Sequence, residues 1–322
     1  AWTVNLNAPQ YQAQPPLSAY NYQFGWQNNL KSNAVYFQDQ IAWGGFRLLA
    51  GIRNERVNSL GYNPSTVVQS SQTESATTGR AGLLYMITPA TSVYYNISQS
   101  FTPNGGYPGV NSSTLPSSRG LQNEVGVKHS LWAGLDATAS LYNINRTNVP
   151  ACAVTENFQC TAYTATGGEQ SKGWEASLIG QATKSLRMIA NASGINATTT
   201  QQATNFGTGA LAPAGSPLAG VPKFSANIWG VQDLPLNIPG KPSIGLGVVY
   251  VGDRVATTPN INGLMLPAYT TVDMGLFYKI DRVDLALNIK NLTNATVLNS
   301  VQGMYVARQP GTSYLATAGI TF

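Results

Sequence analysis

Charge is scarce in this chain. Asp, Glu, Lys and Arg make up 10% of its 322 residues, against about 25% in an ordinary soluble domain. Long apolar runs are missing as well: no stretch approaches the roughly 18 residues a membrane helix needs, and the mean hydropathy is near zero. The Lys and Arg residues form no cluster, and the net charge of +5 is modest for the length, so nucleic acid is excluded as a partner. Histidine occurs once, as His129. A hydrolytic triad or dyad ordinarily needs a His base beside its nucleophile, and His129 shares its strand face with Val125, Val127 and Leu131. No catalytic residue is assigned. Only two cysteines occur, Cys152 and Cys160, close together in a polar stretch. Such a pair reads as a disulfide formed in an oxidising compartment, with two free thiols as the alternative. With the one His far away, neither a protein metal site nor a cofactor is expected. The N-terminus lacks a signal-peptide pattern, and residues 1–7, AWTVNLN, read as strand. Either a leader has been removed or the chain begins inside a longer protein.

What the chain has is Gly (32 residues), Tyr (16 residues) and many Thr, Ser and Asn. Its last stretch, TSYLATAGITF, sets the pattern. Tyr314, Ala316, Ala318, Ile320 and Phe322 fall on one face, and Ser313, Leu315, Thr317, Gly319 and Thr321 on the other. Side chains alternate across a strand, and about ten tilted residues cross a bilayer. A terminal aromatic strand of this kind resembles the C-terminal assembly signal of bacterial outer-membrane barrels, carried here by Tyr314, Ile320 and Phe322.

The same alternation recurs along the chain. Strands are expected at about 30–43, 46–58, 77–87, 92–101, 119–131, 135–142, 170–181, 186–197, 224–232, 243–251, 269–279, 283–290 and 312–322. In residues 30–43 the faces separate poorly, because Val35, Phe37 and Ile41 share a side with Asp39. Short turns fall at 44–45, 88–91, 132–134, 182–185, 235–240 and 281–282. Long loops fall between them at 8–29, 64–75, 102–118, 149–168, 198–222, 252–267 and 292–311. Strict alternation of short turns with long loops is what a barrel with one periplasmic and one external rim produces. Trp43, Phe46, Trp132 and Tyr278 lie near the short turns, where an interfacial aromatic girdle belongs. The expected fold is all-β, an antiparallel transmembrane β-barrel, with about thirteen strands, or fourteen counting residues 1–7. Arg47, Arg53, Glu55, Arg80, Glu124, Lys128, Asp136, Glu175, Asp273, Asp284 and Lys290 should then face the lumen, since charge is costly against lipid.

The motifs AVYFQDQI (34–41), LLAGIRNERV (48–57), GRAGLLYMITPATSVYYNISQSFTPN (79–104), RGLQNEVGVKHSLW (119–132), ASLYNINRTNV (139–149), EQSKGWEASLIG (169–180), VPKFSANIW (221–229), GLGVVYVGDR (245–254), LPAYTTVDMGLFY (266–278) and IKNLTN (289–294) follow one another in the order seen in TonB-dependent siderophore receptors, which the chain resembles along nearly its whole length. The resemblance implies a barrel of about 22 strands around a plug. Residues 1–322 correspond to its C-terminal portion, with no plug domain and no TonB box. It further implies an outer-membrane receptor and transporter for a ferric siderophore, energised by TonB through a plug outside this chain and inserted by the barrel-assembly machinery of a Gram-negative outer membrane. Iron would be held by the siderophore. Loop aromatics Tyr11, Tyr20, Tyr22, Tyr107, Tyr163, Phe206 and Tyr305 are candidates to stack on such a ligand, and Arg254 and Arg308 to attract an anionic ferric complex. The alternatives are a self-contained barrel acting as a passive channel, a receptor for haem or cobalamin, and a soluble adhesive β-protein.

Overall fold

The computed structural model describes residues 27–63, 68–105, 107, 109–110, 113–132, 134–156, 159–204, 211–260, 263–301 and 305–322. The expected strand at 1–7 and most of the loop at 8–29 lie outside these. In chain order the strands are β1 (Gln27–Trp43), β2 (Phe46–Asn63), β3 (Val68–Met86), β4 (Thr91–Thr102), β5 (Ser118–Trp132), β6 (Leu135–Glu156), β7 (Gln159–Gln181), β8 (Leu186–Thr199), β9 (Ala203–Thr204), β10 (Leu211–Ala212), β11 (Phe224–Asp233), β12 (Lys241–Val251), β13 (Arg254–Val255), β14 (Met265–Leu266), β15 (Tyr269–Ile280), β16 (Val283–Lys290), β17 (Leu298–Val301), β18 (Tyr305–Arg308) and β19 (Ser313–Ile320). Thirteen of them form one sheet in the order β1-β2-β3-β4-β5-β6-β7-β8-β11-β12-β15-β16-β19. Every neighbouring pair is antiparallel. No described helix is long and apolar enough to cross a membrane.

The registers turn the period-two pattern of each strand into continuous rows. One apolar row runs Val93, Val127, Ala139, Ala176, Ala192, Ala226, Tyr250. The next row, on the opposite face, runs Tyr94, Gly126, Ser140, Glu175, Ser193, Ser225. A one-residue slip anywhere would put side chains on the wrong face, so each pairing reinforces its neighbour. In β1 the pairs Phe37–Ile52, Asp39–Ala50 and Ile41–Leu48 place Asp39 on the apolar face.

That apolar face is bare. Leu141 is 60% exposed and Leu246 55%, and no second sheet covers them among the described residues. A sandwich would bury this face under another layer about 10 Å away. Instead, the largest fully buried side chains among the described residues include Asn104 and Ser118 beside Leu135 and Leu266, so the described residues form no ordinary apolar centre. A surface so apolar belongs against lipid.

The short connections lie at one end of the sheet, as expected. At the other end the chain differs from expectation. The expected loop at 64–75 is mostly strand, because β2 continues to Asn63 and β3 begins at Val68. The expected loop at 149–168 is a ribbon formed by the far ends of β6 and β7. Three other long connections carry the two-strand pieces β9–β10, β13–β14 and β17–β18. Their strand pairs include apolar residues set opposite polar ones, as Arg254 opposite Leu266 and Asn299 opposite Ala307, so the alternation that marks the spanning strands is weak in them.

Candidate functional site

The polar face and the long-connection end are where a solute would meet this protein. On the polar face, charged groups pair: Arg53 Nε with Glu55 two residues along the same strand at 2.9 Å, and, across neighbouring strands, Arg146 with Glu169 at 3.3 Å, Arg187 with Asp233 at 3.0 Å, and Lys279 with Asp284 at 3.2 Å. Arg80 donates to Gln38. Asp136 accepts from Ser130 Oγ at 2.6 Å, and Asp273 from the Asn291 amide at 2.7 Å. Tyr94 donates to Glu124 at 2.5 Å, and the Lys128 ammonium sits 5.3 Å from the centre of the Tyr94 ring. Beside them, a concavity of about 510 Å³ is lined by Glu124, Lys128, Glu175, Asn191 and Asn227. A second of about 1090 Å³, nearer the short turns, is lined by Arg187, Trp229, Asp233, Phe277 and Lys279. Together they make a wall of mixed charge, amides and hydroxyls, with no run of like sign.

Aromatics ring the apolar face at two levels. Near the short turns Trp43, Phe46 and Tyr85 stack in sequence, with ring centres 6.1 and 4.7 Å apart. Trp132 lies at the same end and donates to Gln181 O at 3.2 Å. Near the long connections Trp174, Phe224 and Tyr250 form a second chain, at 6.2 and 5.9 Å. This second belt was not anticipated. It comes from three different strands and appears only once the register is known. Two belts bounding an apolar band are the mark of a membrane-crossing barrel wall. His129 lies within the band, its Nδ1 2.9 Å from Thr91 Oγ1, on the face away from any lumen.

The ligand candidates at the long-connection end fare differently from one another. Tyr11, Tyr20, Tyr22 and Phe206 lie outside the described residues, as does the side chain of Tyr305. Tyr107 and Tyr163 meet edge to face at 5.0 Å. Tyr163 is buried, and burial, with a smaller effect of Tyr107, pushes its phenol well above the ordinary value of 10.0. Tyr107 keeps 41% of its surface exposed. Arg254 is buried. It donates to Leu298 O at 2.6 Å and Asn299 Oδ1 at 3.0 Å, and lies 5.4 Å from the Tyr269 ring centre. It therefore pins two long connections together instead of facing outward. Arg308 is exposed on β18. Tyr314, Ile320 and Phe322 point away from the sheet on the apolar side, Phe322 fully exposed. Cys152 is buried and disulfide-bonded. The backbone of Cys160 lies on the facing strand, opposite Thr155, and its side chain lies outside the described residues.

Sequence reasoning missed a buried polar knot formed by Glu74, Asn104, Ser117, Ser118 and Asn148. Asn104 Nδ2 donates to Pro116 O at 2.7 Å and to Asn148 O at 2.9 Å. Asn148, at φ 55°, donates to Ser117 O at 3.0 Å. Asn104 ends one of the quoted motifs and Asn148 is the last residue but one of another, which was the available signal. A second pair of motif residues behaves alike: Asn291 and Asn294 hold left-handed backbone at φ 50° and 52°, and Asn291 bonds both ways with Ala295 to close the turn after β16.

An antiparallel sheet with a lipid-type outer face, a charged and amide-lined inner face, two aromatic belts and ribbons at one end defines an outer-membrane barrel wall. The family model for TonB dependent receptor-like β-barrels matches residues 2–292, and the chain belongs to that family. The Metal-pseudopaline receptor CntO of Pseudomonas aeruginosa is 31% identical over 302 residues, covering 90% of this chain and 40% of that protein. The Ferrioxamine B receptor of Salmonella typhimurium is 27% identical over 307 residues, covering 90% and 42%. Among solved structures, the Ferric-Catecholate import receptor Fiu from E. coli in its closed form superposes with a TM-score of 0.76 at 20% identity, over 99% of this chain and 48% of that one. The chain thus spans less than half the length of these relatives.

Proposed function

We propose that this chain is the barrel portion, over its whole length, of an outer-membrane receptor that takes up ferric siderophores in a Gram-negative bacterium. TonB supplies the energy through a plug domain outside these 322 residues, the barrel-assembly machinery inserts the protein, and the chain itself is not an enzyme. The observation that carries the reading is the pairing of a bare apolar face with a mixed-charge opposite face in one long-ribboned antiparallel sheet. Its relatives named for metal-pseudopaline and ferrioxamine B favour a metal-chelate ligand over haem or cobalamin. Iron stays within its chelator, and the protein recognises the chelate's outer atoms. Tyr107 and Arg308 are the described candidates exposed to meet it. The Cys152–Cys160 bridge closes the tip of the β6–β7 ribbon.

The test is uptake of radioactive iron as ferric ferrioxamine B, pseudopaline-type and catecholate chelates. The complete gene product is expressed in a strain lacking its own receptors, with and without TonB. Saturable uptake of one chelate that disappears without TonB supports the reading. Uptake that persists without TonB and rises linearly with concentration replaces it with a passive channel.

A further inference from the structure

Residues 103–117 connect β4 to β5, and the described ones among them, 103–105, 107, 109–110 and 113–117, do not project freely. They return onto the polar-face side chains of the β2–β3 ribbon. Val57, Ser59 and Ala76, which point to the polar side in the same alternation as Arg53 and Glu55, are buried there together with Leu115, Asn104 and Ser117. The anchor is Glu74. Its carboxylate accepts from the Ser117 amide at 3.0 Å and from the Ser117 hydroxyl. Two carbons of side chain hold this acceptor where both donors of one residue converge, and a charged acceptor makes a stronger bond than a neutral one. Gln72 adds a bond to Leu115 O at 2.7 Å. On the far side Asn104 bonds Asn148 O of β6, Gly109 bridges to Tyr163 of β7, and Tyr107 rests its ring on Tyr163. The described part of the connection is thus fastened to the ribbons on both sides of it, through hydrogen bonds that are part-buried. Among the described residues, the one large side chain it leaves exposed is Tyr107.

We propose that the described residues of this connection, 103–105, 107, 109–110 and 113–117, form a fixed ledge on the lumen side of the external mouth. In this arrangement Glu74 is the positioning residue that holds the ledge, and Tyr107 is the specificity-determining residue that the ledge presents to the incoming solute. A ring held at one edge by Tyr163 offers a face and a hydroxyl. That suits a metal chelate with apolar or planar outer parts and hydrogen-bond acceptors. The ledge stands on the geometry alone; the ligand class rests on the receptor reading above. Because the ring is already placed before ligand arrives, little ordering cost falls on binding.

The experiment uses the complete receptor in detergent. It reads amide hydrogen exchange over residues 103–117 without ligand, and equilibrium binding of ferric ferrioxamine B or whichever of the three chelates the uptake assay selects. The wild type should exchange slowly in this segment. Glu74→Ala should speed exchange there while the spanning strands stay protected, and should raise Kd about tenfold, equivalent to about 1.4 kcal/mol. Glu74→Gln keeps an acceptor for the Ser117 amide and should restore most of both. Tyr107→Ala should raise Kd comparably. Fast exchange in the unliganded wild type overturns the ledge. An unchanged Kd in a Glu74→Ala protein whose segment has loosened, or an unchanged Kd for Tyr107→Ala, overturns the positioning and specificity roles. A protected segment in a protein that binds none of the chelates supports the ledge and overturns the receptor reading instead.

Discussion

Trp229 lies flat on the polar face across Gly245 and Gly247 of the neighbouring strand, and a Cβ on either glycine would stand closer to the indole than atoms can approach. The glycines are there because the ring is. Gly247→Ala must lift the indole from the wall at a cost of about 1–3 kcal/mol, the usual range for overpacking, and thermal unfolding in detergent will register it as a lowered midpoint. Two adjacent valines give a sharper contrast. Val248 pairs with Ile228 and Val272 on the apolar side, and Val249 with Asn227 and Thr271 on the polar side. Val248→Arg should destabilise the folded barrel by about 2–4 kcal/mol near mid-membrane, and Val249→Arg by much less, measured by denaturant unfolding in lipid vesicles. Tyr163 carries a pH dependence. Burial raises its phenol above 10.0 in the folded ribbon, so the unfolded ribbon loses that proton first. The stabilising contribution is complete below about pH 10 and is lost as the pH climbs from there toward the folded value. Protease cutting between residues 149 and 168 should rise above that pH in the wild type and much less in Tyr163→Phe.

At the scale of elements, the β6–β7 ribbon is the longest excursion from the sheet, and the disulfide at Cys152 staples its tip. Reduction, or Cys152→Ser, should cost about 2–3 kcal/mol of ribbon stability and open the tip to protease, while the spanning strands survive. The sequence foretold the thirteen sheet strands because each has lipid on one side and polar surroundings on the other, which imposes period two on its side chains. It did not foretell the ribbon ends of β2, β3, β6 and β7. These segments have water or other loops on both sides, so nothing forces alternation: β3 begins VQSSQTES, and the far ends of β6 and β7 read VPACAVTE and QCTAYTAT. Site legibility divides the same way. Tyr107, which is exposed, was made a candidate from its residue type. Glu74 and Asn104 were not, because their partners are 43 and 44 residues away and no local pattern points to them. Arg254 reads as a ligand-attracting cation in the sequence; in the structure it is buried and its Nη2 donates to Leu298 and Asn299, while Nη1 makes no hydrogen bond to the described residues. Sequence gives the charge but not the partner.

At the scale of the whole molecule, parity decides what can close this sheet. Thirteen strands, all antiparallel to their neighbours, leave β1 and β19 at the two edges running in the same direction. Antiparallel closure therefore requires an odd number of further strands, and both the fourteen-strand and the 22-strand expectations satisfy that condition. The relatives' greater length, with this chain matching 40% of one and 42% of another, leaves room for either. The central claim, however, concerns orientation: the apolar face meets lipid and the polar face a lumen. It is tested most directly on β8, by placing a fluorophore in turn at residues 187 to 193 in vesicles of brominated phosphatidylcholine. Met188, Ala190 and Ala192 share the face of Leu178 and Ile228, and Arg187, Ile189, Asn191 and Ser193 face the other way. Strong quenching at the three even positions and weak quenching at the four odd ones is the predicted result. Equal quenching at all seven, or none at any as a water-soluble sandwich would give, would contradict it.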